Sequence, residues 1–227
     1  MSDAAKNIVF DWNCTLLDDV HALHSCTNNL LQRQGHGVLD IERFRDNYAI
    51  PFDQFYRKMG FTEGQVTTML TLENSMFHDH YEPLADQSAL REGAADILAV
   101  AHKHGISSYI LSNHIIDPIK AQLKRLAIEH LFAEVLAYAD RATQFKHMTK
   151  GEKLKQFMDE RQLRPQHTMI VGDTIEEIFI ARDHGLISVA ITGGCVSEQR
   201  LREEKPDYVI HSLHELKPIM QERGFIR

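Results

Sequence analysis

From about residue 88 to the C-terminus, short apolar runs alternate with longer amphipathic ones, and no other feature constrains the fold as much. The apolar runs predict strands over 107–111, 134–138, 168–171, 187–191 and 208–210, and the intervening stretches predict helices near 93–104, 115–127, 149–162 and 176–184, with a last one over 212–223. Ala94, Ile97, Leu98 and Ala101 recur at helical spacing before Gly105, and Ile115, Ile119, Leu123 and Leu126 do so in the next helix. Thr149-Lys150-Gly151-Glu152 and Ser212-x-x-Glu215 carry capping-box spacing. Near the N-terminus, Ile8-Val9-Phe10 reads as a further buried strand, and it ends in Asp11. Strands separated by helices pair in parallel through right-handed crossovers. Their C-terminal tips then share one edge, where open α/β sheets bind their ligands. The expected fold class is α/β, a three-layer doubly wound parallel sheet.

Residues 17–87 lack this alternation and read as four or so helices. One runs near 19–34 and stops at Gly35 and Gly37, one follows Pro51 with Phe52, Phe55 and Tyr56 at helical spacing, and one starts at the Thr62-Glu63-Gly64-Gln65 capping pattern. The segment concentrates aromatic residues: Phe44, Tyr48, Phe52, Phe55, Tyr56, Phe61, Phe77 and Tyr81. They read as the filling of a small helical core rather than a pure substrate cage. The expected organisation is therefore an α/β core over 1–16 and 88–227, with a helical cap domain inserted at 17–87.

Composition limits the partners. The 227 residues carry a net charge of −7, and 17–87 hold 11 acidic against 5 basic residues, a balance of −6. Such a surface repels a polyanion, so nucleic acid is not an expected partner. No apolar run is long enough to span a bilayer, and no basic-then-apolar leader opens the chain, so neither a membrane partner nor export is expected. Cys14, Cys26 and Cys195 are odd in number and widely spaced, which fits a reducing cytoplasm rather than a disulfide framework. A monomer is compatible with everything above.

Four residues fall on the expected strand edge: Asp11, Ser112, Asp173 and, at a helix start, Lys150. Alone, each reads as an N-cap or turn residue. In the order Asp11-x-x-x-Thr15, Ser112-Asn113, Lys150-Gly151 and Gly172-Asp173-Thr174-x-x-Glu177, they resemble the four motifs of the haloacid dehalogenase superfamily, and 17–87 lies where that superfamily carries a helical cap. The resemblance implies a phosphohydrolase acting on a small phosphorylated metabolite. Asp11 would be the nucleophile, forming an aspartyl-phosphate, with Ser112 and Lys150 on the transferring oxygens and Thr15 and Asn113 as further phosphate-side candidates. It also implies Mg²⁺, held by Asp11, the backbone carbonyl of Asn13, Asp173 and Glu177, the last through water or by orienting Asp173. Lys146 and Lys153 lie close to Lys150 in sequence but read as solvated side chains.

Three positions depart from the pattern: Glu177 stands for the usual Asp, Cys14 for the usual Gly, and Asn13 for an acid. The family's phosphatases carry a second Asp, a general acid and base, where this chain has Asn13, and an amide does not titrate near neutral pH. Either the substrate has a good leaving group, or another group such as His114 or a cap histidine supplies the proton, or the chain resembles the branches that need no such Asp, the phosphonatases and dehalogenases, or it is a catalytically weak member whose core binds phosphate or a partner protein. Gly172-Asp173-Thr174 keeps the metal carboxylate and argues against a dehalogenase. A phosphonatase needs a cap lysine, and Lys58, the one lysine in 17–87, lies in surroundings that do not match that branch. Lys58 therefore reads as a solvent-facing charge, and Arg43, Arg45, Arg57 and Lys58 remain candidates for gripping a substrate anion. His21 with His24, His78 with His80, and His211 with His214 lack a third partner of metal-site spacing. Cys14 reads as a buried small hydrophobe, with an oxidation-sensitive thiol as the alternative.

Overall fold

The computed structural model describes residues 5–72, 78–140 and 148–227. Phe77 and Lys146 lie outside these.

Six strands form one parallel sheet: β1 (Asn7–Phe10), β2 (Ser107–Ile115), β3 (Glu134–Tyr138), β4 (Thr168–Gly172), β5 (Ile187–Ile191) and β6 (Tyr208–Ile210), in the spatial order β3-β2-β1-β4-β5-β6. β1 is central, with Phe10 opposite Ile110 on one side and Val171 on the other. The chain winds outward from β1 in both directions, so the gap at its tip is the switch point where doubly wound sheets place their chemistry. Alternation within β1 separates the two apolar layers. Ile8 and Phe10 pack with α6 (Ala94–Lys103), α7 (Ile116–Arg125) and α11 (Leu216–Glu222), whereas Val9 packs with α8 (Lys150–Arg161) and α9 (Ile175–His184). This is the expected three-layer α/β architecture.

Between β1 and α6 the described residues form five helices: α1 (Val20–Arg33), α2 (Ile41–Asn47), α3 (Phe52–Lys58), α4 (Glu63–Leu72) and α5 (His78–Ala85). Their aromatic residues Phe44, Phe55 and Tyr56 are fully buried and continuous with the apolar layer under Phe10. The chain leaves and re-enters the sheet side by side: Asp18 N–H donates to Ala89 O at 2.9 Å, and Arg91 N–H to Leu16 O at 2.9 Å.

Two expectations need correction, and one helix was not expected. β2 does not stop at Leu111 but runs to Ile115 with a register irregularity, so Ser112, Asn113 and His114 lie inside the strand. The C-terminal segment 212–223 is a 3₁₀ turn, capped by Ser212 and Glu215, leading into α11. A short helix, α10 (Glu198–Glu203), has too few residues to show periodicity and went unread. No described helix is long and apolar enough to cross a membrane.

Candidate active site

Asp11 follows the last residue of β1, and its backbone N–H donates to Val171 O at 2.9 Å, which continues the β1–β4 ladder by one residue. The neighbouring Trp12 is fully buried, and its indole N–H donates to Gln122 Oε1 of α7 at 2.7 Å. The nucleophile candidate is thus fixed by a strand on one side and an anchored indole on the other. Lys150 opens α8, whose Thr149–Glu152 capping box is formed as the spacing predicts. Its ammonium is 2.5 Å from Asp11 Oδ1 and also donates to Glu177 Oε1. Asp11 Oδ2 has no hydrogen bond among the described residues, so the carboxylate is held by one oxygen and free at the other.

Asp173 follows β4. Its Oδ1 accepts from Thr15 Oγ1 at 2.9 Å and its Oδ2 from Cys195 N at 2.6 Å. Gly194 permits this close approach, since a Cβ there would lie 2.3 Å from Asp173 Oδ2. Gly172 does the same for Glu177, where a Cβ would lie 2.2 Å from its Cγ. Glu177 Oε2 closes the capping box of α9 by accepting from Thr174 Oγ1 at 2.6 Å. Its described partners are therefore Lys150 and Thr174, and no hydrogen bond joins it to Asp173.

The electrostatics follow from burial. Asp11 is 7% exposed and Asp173 is 1% exposed. Burial pushes Asp11 well above the usual carboxylate range against the pull of Lys150, and the Glu177 and Asp173 charges add to it. Burial, together with Glu177, also pushes Asp173 up to about 6, against the hydrogen bond from Cys195 N. Burial works against the Lys150 ammonium, but Asp11 and Glu177 outweigh it and raise its pKa. The Lys150 ammonium pairs with two buried carboxylates, Asp11 and Glu177, while Arg91 is the cation near Asp173, and every donor on Asp11, Asp173 and the Asn13 carbonyl is a hard oxygen. That set fits a small divalent cation such as Mg²⁺.

Ser112 Oγ accepts from His114 N at 3.0 Å and lies 3.4 Å from Asn13 Oδ1, so its own proton is directed to the Asn13 side. Asn113 Nδ2 donates to Glu176 Oε2 at 2.6 Å. Asn13 Nδ2 donates to Asp19 Oδ2 at 2.9 Å and to the Tyr81 hydroxyl at 2.6 Å, and Tyr81 in turn donates to Asp19. The Asp19 carboxylate also accepts from Cys14 N at 2.6 Å, and for that reason it makes no side-chain cap on α1.

Sequence reasoning missed Asp19, Tyr81, Arg91 and the Gly193-Gly194-Cys195 loop. Arg91 joins Cys14 O to Thr192 O at 2.7 Å each. Only the loop had a sequence signal, a Gly-Gly pair after a predicted strand on the same edge. Lys153 departs from expectation: its ammonium sits 3.5 Å from the Tyr138 ring centroid, half-buried, and burial lowers it to about 8. Of the cap cations, Arg45 donates to Gly194 O at 2.9 Å and to Gly193 O at 2.8 Å. Arg43 and Lys58 are exposed, and Arg57 is taken by Asp53 and Glu63. His24 is held by Leu39 O at 2.8 Å and His211 by Thr192 Oγ1 at 2.9 Å. Among the described residues, no histidine belongs to a cluster of metal-ligating side chains.

Comparison with known proteins agrees with this geometry. A phosphoglycolate phosphatase of Synechococcus elongatus is 26% identical over 209 residues, covering 92% of this chain and 94% of its own. The pyrophosphatase PpaX of Bacillus thuringiensis is 21% identical over 231 aligned positions, covering 96% and 97%. Among solved structures, a haloacid dehalogenase-like family hydrolase from Streptococcus pneumoniae superposes with a TM-score of 0.79 at 21% identity, covering 95% of this chain and 98% of that one. The sequence pattern of the haloacid dehalogenase-like hydrolases matches residues 8–191, and the chain belongs to that family of enzymes.

Proposed function

We propose that the protein is a Mg²⁺-dependent phosphatase of small phosphate esters that works through an aspartyl-phosphate on Asp11. The observation that carries this reading is the half-tethered Asp11. Lys150 fixes Oδ1 at 2.5 Å and leaves Oδ2 as the attacking atom at the switch point of the sheet. Lys150 and the Ser112 hydroxyl neutralise the transferring oxygens, with Ser112 oriented by the His114 N–H. Asn113 stays a phosphate-side candidate beside Ser112, its amide set by the hydrogen bond to Glu176. Thr15 and Cys195 N hold Asp173 in place, and Glu177 holds Lys150. When bound by Asp11, Asp173 and the Asn13 carbonyl, Mg²⁺ supplies a positive charge that lets an anionic substrate approach an anionic nucleophile. Water then hydrolyses the phosphoenzyme and restores Asp11.

Residues 17–87 act in this reading as the cap. Arg45 and Tyr48 of the cap support this role, because they contact the 193–200 segment: Arg200 Nη1 donates to Arg45 O at 3.0 Å and to Tyr48 O at 2.7 Å. The relatives' names direct the substrate search to 2-phosphoglycolate and pyrophosphate. Three free thiols support a reducing cytoplasmic setting. The test is hydrolysis of an aryl phosphate, 2-phosphoglycolate and pyrophosphate with and without Mg²⁺, against Asp11→Asn as the blank. Metal-dependent turnover that vanishes in Asp11→Asn is the expected result. Activity that survives that substitution would overturn the nucleophile.

A further inference from the structure

Two sulfurs in the site have no part in this chemistry. Cys14 and Cys195 are 181 residues apart in sequence, yet their Sγ atoms are 2.9 Å apart, and both side chains are buried at 1% and 2% exposure. Their backbones belong to the two loops that shape the carboxylate cluster. Cys14 follows Asn13 in a left-handed turn at φ 59°, and its N–H is held by Asp19. Cys195 N–H holds Asp173. We propose that Cys14 and Cys195 are a modification site, a dithiol that a small peroxide converts reversibly to a disulfide joining the nucleophile loop to the Asp173 loop.

The chemistry balances in two steps. One sulfur attacks hydrogen peroxide and becomes a sulfenic acid, releasing one water. The second sulfur then displaces the hydroxyl as a second water and closes the S–S bond. The dithiol loses two electrons and two protons in total, and the peroxide gains them. A thiol reductant reverses the reaction by exchange. A disulfide requires about 2.05 Å between sulfurs, so closure draws the two loops together by less than an ångström. Burial keeps both thiols protonated and slows the first step, but the second needs no search, because the partner is already in contact.

Closure alters the backbone beside Asn13 and the N–H that positions Asp173. Resting on the metal reading above, the oxidised protein is expected to bind Mg²⁺ on the order of tenfold more weakly, the scale seen when groups behind a metal ligand are disturbed.

The test treats the folded full-length protein with hydrogen peroxide, blocks remaining thiols under denaturing conditions and maps the peptides. The expected result is a loss of about 2 Da, two hydrogens, with Cys14 and Cys195 in one linked peptide that dithiothreitol separates. The loss should persist in Cys26→Ser and disappear in Cys195→Ala and in Cys14→Ala. Thiols at Cys14 and Cys195 that remain free, a link to Cys26, sulfinic acid without a crosslink, or protection by a retained soft metal held with Asp173 would each overturn the proposal. The peptide map is independent of catalysis, so an inactive protein leaves it readable. The Mg²⁺-induced rise in Tm, compared between oxidised and reduced Cys26→Ser, then reads the metal effect: an equal rise refutes the coupling.

Discussion

Asn13 is where the residue scale is most informative. It sits two positions after Asp11, and its amide is bonded to Asp19 and Tyr81. An amide gives no proton to a leaving group, whereas Asp19 is a fully buried carboxyl whose pKa burial raises against three hydrogen-bond donors. Restoring the acid by Asn13→Asp would place a second carboxyl one hydrogen bond from Asp19, and two carboxyls that close share a proton at neutral pH. The expected outcome is about 10²-fold faster hydrolysis of alkyl phosphates, the lower end of what a positioned acid contributes, with little change for aryl phosphates whose leaving group departs unprotonated. An unchanged alkyl rate would show that the Asp19–Tyr81 pair already delivers the proton, and Tyr81→Phe would then slow it. Asp11, Lys150 and Asp173 were legible because each follows a strand or opens a helix, and Ser112 because the apolar run of β2 ends just before it. Asp19, Tyr81 and Arg91 were not. Each reaches the site by a tertiary contact, and its local sequence carries no mark of that contact.

At the scale of elements, α5 links the segment 17–87 to the sheet at two adjacent residues. Tyr81 bonds Asp19 and Asn13, and Glu82 Oε1 lies 3.0 Å from His114 Nε2 of β2. The His114 ring also meets Ile115 O through Nδ1 at 3.0 Å, so both nitrogens donate when the ring is charged. Burial works against the imidazolium, but Glu82 and the Ile115 carbonyl outweigh it and raise the pKa of His114. A raised histidine contributes stability that is complete below its unfolded pKa of about 6.5 and is lost as pH climbs through the folded value. His114→Gln should therefore cost most in acid. A hydrogen bond to a charged group contributes about 1.5–3 kcal/mol, and at about 2–4 °C per kcal/mol for a chain this long the Tm at pH 6 should fall by roughly 3–12 °C. The gap should narrow by pH 9. A gap of equal size at both pH values would remove the ion pair from the account. The same strand explains one misreading. Ser112-Asn113-His114 interrupts the apolar run, and a run interrupted by polar residues reads as a strand end, whereas here the backbone continues because β3 pairs beyond the irregularity. Short α10 failed for a different reason, since six residues are fewer than two turns.

For the molecule as a whole, the site opposes the fold that holds it. Asp11, Asp173 and Glu177 are all buried, with Lys150 paired to Asp11 and Glu177, and in Asp11 and Asp173 burial raises the pKa. A carboxylate whose pKa is higher folded than unfolded binds more protons in the native state, so its contribution is present below the unfolded value near 3.9 and is lost as pH rises. For Asp173 that loss runs from about pH 4 to about 6, and for Asp11 it extends upward. The protein without metal should thus become less stable across a range where most proteins gain. A divalent cation bound to the ionised carboxylates reverses the trend, because it binds the native state in competition with protons. At 100 times its dissociation constant such an ion adds about 2.7 kcal/mol, which corresponds to a rise in Tm of roughly 5–11 °C at this chain length. The rise should be small at pH 5, grow through pH 6 and level off above the Asp11 transition. Asp11→Asn removes one buried charge, so it should raise Tm in the presence of chelator and shrink the response to Mg²⁺. Melting curves at pH 5, 6, 7 and 8, with chelator and with Mg²⁺, for both proteins, decide the matter. A Mg²⁺ response independent of pH, or an Asp11→Asn protein that melts lower without metal, would mean that the carboxylates are neutralised by the chain's own cations, Lys150 and Arg91.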